Sequence, residues 1–385
     1  MKYRMISILC AVSAAAVCAC SGGEIEPIEE NRPPEPERSV TRLVGISMPN
    51  RAQERWERDA GLLEENFRKG GFDVKVEYSS DDPAIQSESL RSMIDEGAIM
   101  LVISAVDMDS LSEVLDIADE KDIPVVAYDR FLMGSDAVDY YVSYDNEAVG
   151  RLQAQCIVDK LGLEDAEGRH FTLEIFSGDI SDLNAESVYK GAMSVLDNYI
   201  DSGVLQIPSG RRSPEDTMIK NWDADTARNS LQGILSAYYE GKDAPDAVLC
   251  PNDTVASGAV AALENTYGSF DTIVTGQDAD EENLAMIKDG RQTMTVYKSS
   301  RNEAAAAYEL CISVLNDQKP DEKMIEAAGW DFECYYNGEG YDNGRKDVPA
   351  FLLRPVSINS DNIESELVEK GHAEMDDSGN VRTVE

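Results

Sequence analysis

Residues able to do chemistry stand at one recurring place in this sequence, just beyond short hydrophobic runs. They are Arg55 and Trp56, Asp129 and Arg130, Asn184, Trp222, Asn252 and Asp253, Asp278, and Lys298. An ionised carboxylate accepts several hydrogen bonds, a guanidinium donates a fork of them, an amide does both, and an ammonium is a compact donor. The indoles add broad apolar faces with a polar edge. A neutral monosaccharide presents hydroxyls that donate and accept, together with apolar C–H faces, so this inventory suits a sugar. Taken singly, an Asp or Arg after a strand is commonly a helix cap or a surface ion partner, and a Trp is commonly core. Their co-occurrence at strand ends is what favours a site.

Catalysis finds less support. Asp129 and Asp278 could flank a glycosidic bond, but hydrolysis needs one carboxyl of raised pKa, and Arg130 and Lys298 would hold both carboxylates ionised. His170 and His372 are the only histidines among 385 residues, too few for a multi-histidine metal site. No Gly-x-Gly-x-x-Gly, phosphate-binding loop or Gly-x-Ser-x-Gly motif occurs. The expectation is a binding protein without cofactor or metal, not an enzyme. With 74 acidic against 34 basic residues the net charge is −40, which repels phosphate backbones and excludes a nucleic-acid partner bound through a basic face.

Strands and helices must alternate regularly to place those groups, and from residue 42 they do. Strands are expected at 43–47, 74–78, 99–103 and 125–128, with helices at 53–68, 89–96 and 110–120 between them. After a break around Ser143 to Asn146, strands follow at 172–176, 204–207, 247–250 and 272–275, and helices at 185–199, 226–239, 254–266 and 281–289. Near-continuous apolar strands separated by helices mean parallel sheets covered on both faces. Ligand-facing loops then lie at the carboxyl ends of the strands, which is where the polar groups stand.

The N-terminus reads as a processing segment. Lys2 and Arg4 precede an apolar run, Met5 to Val17, that is short for a bilayer span and suited to a secretory signal. Val17-Cys18-Ala19-Cys20 resembles a bacterial lipobox, so residues 1–19 are expected to be a lipoprotein signal peptide and Cys20 the lipidated first residue of the mature chain. Acyl chains carried there suffice to hold the protein on a membrane. Residues 20–39, rich in Glu and Pro, cannot bury a core and are expected to be a lipidated, disordered acidic tether. Cleavage removes Lys2 and Arg4 and no acid, taking the net charge to −42. Cys156, Cys250, Cys311 and Cys334 read as small buried residues rather than a disulfide framework.

Several stretches taken together resemble a known family. These are Glu54-Arg55-Trp56, Ala127-Tyr128-Asp129-Arg130, Ser143-Tyr144-Asp145-Asn146, Pro251-Asn252-Asp253, Gly276-Gln277-Asp278-Ala279-Asp280, Thr295-Val296-Tyr297-Lys298 and Phe351-Leu352-Leu353-Arg354-Pro355-Val356. In order and type they are similar to the periplasmic sugar-binding proteins of bacterial ABC importers, including those for xylose and for multiple monosaccharides. The resemblance runs from about residue 42 to 371 and implies an α/β, type I periplasmic-binding-protein fold of two Rossmann-like lobes with parallel sheets, joined by three crossovers. It implies a sugar held by Trp56, Asp129, Arg130, Asp278 and Lys298, with Asn184 and Trp222 beside them, and delivery to an ABC-transporter permease. A chemoreceptor is the alternative partner, and the body is expected to be a monomer. A repressor of the same core would need a basic helix-turn-helix before the first strand. Where the family commonly carries two adjacent asparagines, Leu183 replaces the first, which bears on sugar preference. The expected first lobe is 40–145 plus about 293–333, and the second is 146–292 plus about 350–385. Crossovers are expected near 144–146, near 289–293 and between about 333 and 351, with a polar turn at 338–345.

Overall fold

A computed structural model describes residues 42–166, 168–376 and 379–384. The signal segment, Cys20 and the tether lie outside the described residues. The first sheet and its cover begin with β1 (Leu43–Met48), α1 (Glu54–Lys69), β2 (Asp73–Tyr78), α2 (Pro83–Asp95), β3 (Met100–Ile103), α3 (Ser112–Glu120), β4 (Val125–Tyr128) and β5 (Val138–Tyr144). The chain then crosses to α4 (Asn146–Leu161), β6 (Phe171–Ile175), α5 (Leu183–Asp201), β7 (Leu205–Gln206), α6 (Pro214–Thr217), α7 (Ala224–Tyr238), β8 (Ala247–Leu249), α8 (Asp253–Tyr267), β9 (Ile273–Val274), α9 (Glu281–Lys288) and β10 (Met294–Tyr297). It returns through α10 (Ser300–Leu315), α11 (Glu322–Ala328), β11 (Cys334–Asp342) and β12 (Asp347–Leu353), and ends in β13 (Val356–Asn359), β14 (Ala373–Met375) and β15 (Val381–Thr383).

The first sheet runs β11-β12-β5-β4-β3-β1-β2, parallel except for the β11–β12 pair, and the second runs β7-β6-β8-β9, all parallel. Every residue of β3 and β4 is buried, as apolar runs between two helical layers require. Leu90, Met93 and Leu115 of α2 and α3 pack on one face of the first sheet, and Leu63, Phe67 and Leu310 of α1 and α10 on the other. In the second lobe, Leu231, Leu235 and Leu263 of α7 and α8 cover one face, and Ile157 and Leu196 of α4 and α5 the other. Each such side chain, fully buried, contributes roughly 1.5–3 kcal/mol.

The sheet pairings shift several sequence expectations. Strand β10 lies beside β9, through Thr293 N–H to the Val274 carbonyl at 3.0 Å and Val296 N–H to the Gly276 carbonyl at 3.0 Å. The second crossing therefore falls at Lys298–Ser300, not at 289–293, and residues 294–297 stay with the second lobe. Ala350–Leu353 pair in parallel with Tyr141–Tyr144, so they belong to the first sheet, not the second lobe. The third crossing is at Arg354–Pro355. Residues 338–342, expected as a turn, continue edge strand β11, which slips register between Asn337 and Tyr341. Glycine-rich polar sequence hides such a bulged edge. The four described cysteines are free; Cys250 and Cys311 are buried, whereas Cys156 and Cys334, also expected to be buried, are half-buried.

Candidate functional site

All the residues singled out in the sequence except Asp253 line one cavity between the lobes, joined by Gln53, Asp182 and Gln277. Two aspartates set its frame. Asp129 follows β4 and Asp278 follows β9, and both have left-handed backbone, φ +55° and +97°. Such a backbone costs a non-glycine residue on the order of 1–2 kcal/mol and persists where surrounding bonds fix it. Here the Asp129 carbonyl accepts from the Tyr141 hydroxyl (2.7 Å), the Ser143 hydroxyl (3.1 Å) and the Asn184 amide (2.8 Å). Asp278 N–H donates to the Val296 carbonyl at 2.9 Å.

Arg55, in the first turn of α1, is the hub. Its guanidinium lies 3.0 Å from Asp129 Oδ1, 3.2 Å from Asp278 Oδ1, 3.2 Å from Asp59 Oδ2 and 3.4 Å from Glu303 Oε2. Lys298 Nζ, at the crossing, sits 3.4 Å from both Asp129 Oδ1 and Asp278 Oδ1. Burial opposes the charge of Arg55, but Asp129, Asp59, Asp278 and Glu303 outweigh it and hold its pKa well above the ordinary value. Burial likewise pushes Asp129 up, and Arg55, Lys298 and Arg130 overcome it, so its pKa falls below the usual range. Asp129 is thus an ionised acceptor and no general acid. Glu303 goes the other way: burial and the charge of Asp129 push it well up, offset only in part by Arg55. Asp59 is raised too, chiefly by burial. Sequence reasoning missed both. Asp59 carries a readable signal, one helical turn beyond Arg55; Glu303 comes from a distant helix and has none.

The aromatic walls differ. Trp56 is 1% exposed, donates its indole N–H to Gln53 Oε1 at 3.0 Å, and has the guanidinium carbons of Arg55 and Arg130 at 4.6 and 5.2 Å from its ring centre. Those cations stack on the ring quadrupole. Trp222 packs on Gly178, where a Cβ would meet the indole at 2.2 Å. Asn221 and Trp222 have left-handed backbone, and Asp179 Oδ2 holds the Asn221 N–H at 2.7 Å. The Trp222 indole N–H is buried without a partner among the described residues.

Arg130 is tied across the cleft to Asp182 at 3.1 Å. Asn184 bridges the lobes, donating to the Asp129 carbonyl and accepting from Tyr141 (3.0 Å) and Asn146 (2.8 Å). Asn252 spends its carbonyl oxygen capping α8, at 3.0 Å from Val255 N, and its NH₂ has no partner among the described residues. Gln277 Oε1 is also buried and has no partner among the described residues. It stands inside the Gly276-Gln277-Asp278 motif, one residue before Asp278, and that position is its only signal in the sequence.

Asp253 departs from expectation. It is fully buried and accepts from Asp280 N–H (3.0 Å), the Thr295 hydroxyl (3.0 Å) and the Gln292 amide (2.8 Å). A Cβ on Gly276 would meet its carboxylate at 2.0 Å. At the start of α8 its side chain faces the neighbouring loops, so it braces the turn that carries Asp278 instead of lining the cavity. Burial and the charge of Asp280 hold its pKa well above the usual carboxylate range. Among the described residues no group of His, Cys, Asp or Glu is arranged to hold a metal ion.

Two α/β lobes, three crossings and a polar, aromatic cage buried between them define a solute-binding protein. Residues 44–319 match the periplasmic binding protein domain family, and the chain belongs to it. The architecture is the type I fold of that family, whose members bind solutes and are not enzymes. A multiple sugar-binding periplasmic protein of Azospirillum brasilense is 38% identical over 333 residues, 86% of this chain and 89% of that relative. A D-xylose-binding periplasmic protein of Haemophilus influenzae is 34% identical over 328 residues, 85% of this chain and 89% of that relative. An ABC transporter solute-binding protein of Clostridium phytofermentans, solved with bound β-D-glucose, is 37% identical with a TM-score of 0.80, covering 86% of this chain and 97% of that one.

Proposed function

We propose that this protein binds a neutral monosaccharide, a pentose or hexose, in the inter-lobe cage and delivers it to an ABC-transporter permease. The observation that carries this reading is that two tryptophans line a buried ring of donors and acceptors, part of which has no partner among the described residues. The cage side chains leave only about 20 Å³ unfilled, so a sugar enters by parting the lobes and exchanging its hydroxyls for the contacts of Arg55, Lys298, Asp129 and Asp278. Lobe closure then gives a permease, or a chemoreceptor reading the same surface, a difference between liganded and free forms. The relatives with sugar ligands support the same reading.

Calorimetric titration of residues 40–385 with a panel of aldopentoses and aldohexoses should show one site. Asp278→Ala should weaken binding at least 100-fold without unfolding the protein. Absence of heat with every sugar would remove the assignment, and unchanged affinity of the variant would remove Asp278 from the site. Export and anchoring belong to the same proposal: the lipobox-like segment makes Cys20 the lipidation site, on a monomer tethered by residues 20–39. Radiolabelled palmitate fed to expressing bacteria should label the protein, and Cys20→Ser should lose all label; labelling retained by the variant would place the lipid elsewhere.

A further inference from the structure

A second cavity, of about 380 Å³, opens at the mouth of the cleft next to the cage. Asn50, Gln53 and Asp81 line it from the first lobe, and Lys220, Trp222 and Asp223 from the second. Gln53 and Trp222 also line the cage, so the two spaces share a wall. Gln53 is fixed there by the Trp56 indole at 3.0 Å. Trp222 lines both spaces and is 5% exposed, and its indole N–H is buried without a partner among the described residues.

The mouth repeats the inventory of the cage. Asp81 accepts from Asn50 at 2.7 Å through Oδ1, and Asp223 caps α7 through Oδ1 at 2.7 Å from Thr226 N. In each carboxylate the second oxygen has no partner among the described residues. Lys220 has no ion-pair partner among them either. Acceptors, an ammonium donor, an amide and an indole face thus meet in a space of the size that takes small molecules. Two carboxylates beside one ammonium favour hydroxyls and repel an acidic sugar.

We propose that this mouth cavity is a second sugar subsite, so that the protein takes neutral disaccharides or glycosides with one ring in the cage and the next at the mouth, their bridging oxygen passing between Gln53 and Trp222. The proposal rests on the sugar reading of the cage. Its test is calorimetric titration with glucose, xylose, cellobiose, maltose, laminaribiose and xylobiose, on the parent and on Thr226→Trp, which fills the mouth. At least one disaccharide should bind as tightly as its monosaccharide, and Thr226→Trp should weaken it tenfold or more while leaving the monosaccharide unchanged. Should Thr226→Trp fail to fold, Lys220→Ala should show a loss of about fivefold confined to the disaccharide. Monosaccharide binding with every disaccharide at least 100-fold weaker, or a disaccharide indifferent to whichever variant folds, overturns the second subsite and leaves the cage standing. No binding of any of the six overturns both.

Discussion

The two walls of the cleft solve the problem of buried polarity in opposite ways. On the first-lobe side, Arg55, Asp129 and Arg130, with Lys298 at the crossing, are ion-paired with one another or with close neighbours at 3.0–3.4 Å. On the second-lobe side, the Trp222 indole N–H and Gln277 Oε1 are neutral, buried and unmatched among the described residues. A buried charge that loses its partner is very costly, whereas an unmet neutral group costs about 1–3 kcal/mol. The first wall is therefore built into the fold, and the second is where a ligand gains most by arriving. Asn184, Asp182 and Asp278 are the exceptions on that side: Asn184 is tied to the charged wall by its bonds to Asp129, Tyr141 and Asn146, Asp182 by Arg130, and Asp278 by Arg55 and Lys298.

The largest expected effect breaks the first wall. Arg55→Met leaves Asp59, Asp129 and Glu303 buried together without their shared cation, and removing one partner from a buried ion cluster costs about 3–5 kcal/mol. Denaturant unfolding should show a loss of that size, and sugar affinity should fall at least 100-fold. A variant that keeps parental stability would show that the pairs are dispensable to the fold, and the contrast between the walls would collapse.

Next in size is a pH effect behind the second wall, where a proton does what cations do on the first. Burial and the charge of Asp278 push Asp280 up to about 7, with Arg58, 4.0 Å away, offsetting part of the shift. The unfolded chain releases that proton near pH 4. The folded state holds a proton that the unfolded state has lost, so this contribution is complete below pH 4 and disappears as pH rises through 7. Stability should decline by up to about 1.4 kcal/mol per pH unit between pH 5 and 7. Asp280→Asn should flatten that slope and exceed the parent in stability at pH 8 while matching it at pH 4. Parallel pH profiles for the two proteins would exclude Asp280 as the titrating group.

The charged wall was the more legible of the two, and the reason is local. Its strands β1, β3 and β4 are short apolar runs, and Asp129 and Arg130 follow one directly, so strand end and chemistry are adjacent in sequence. β5, Val-Asp-Tyr-Tyr-Val-Ser-Tyr, mixes polar residues into a strand and was hidden, as was α4 after it. β11 was hidden by its glycines. Glu303 could not be read because it reaches Arg55 only through the packing of α10 against α1. Asn252 and Asp253 show the finest limit: adjacent residues at a helix start differ by about 100° in direction, and only the Asn252 cap decides which of them borders the cage.

The smallest effect isolates the second wall. Gln277 contributes no side-chain hydrogen bond to the fold among the described residues, and its carbonyl oxygen is already unmet. Gln277→Ala therefore removes a desolvated group that gives the folded state little in return, and stability should stay within about 1 kcal/mol of the parent. Binding is different, because a sugar hydroxyl that would have donated to Oε1 now meets a methyl group. Affinity should fall roughly tenfold, equivalent to about 1.4 kcal/mol, as measured by calorimetry at constant pH. The loss should vary with the sugar, being smallest for the analogue that lacks the hydroxyl facing Gln277. A uniform loss across all sugars would make Gln277 a packing residue, and a loss of stability matching the loss of affinity would place it with the charged wall instead.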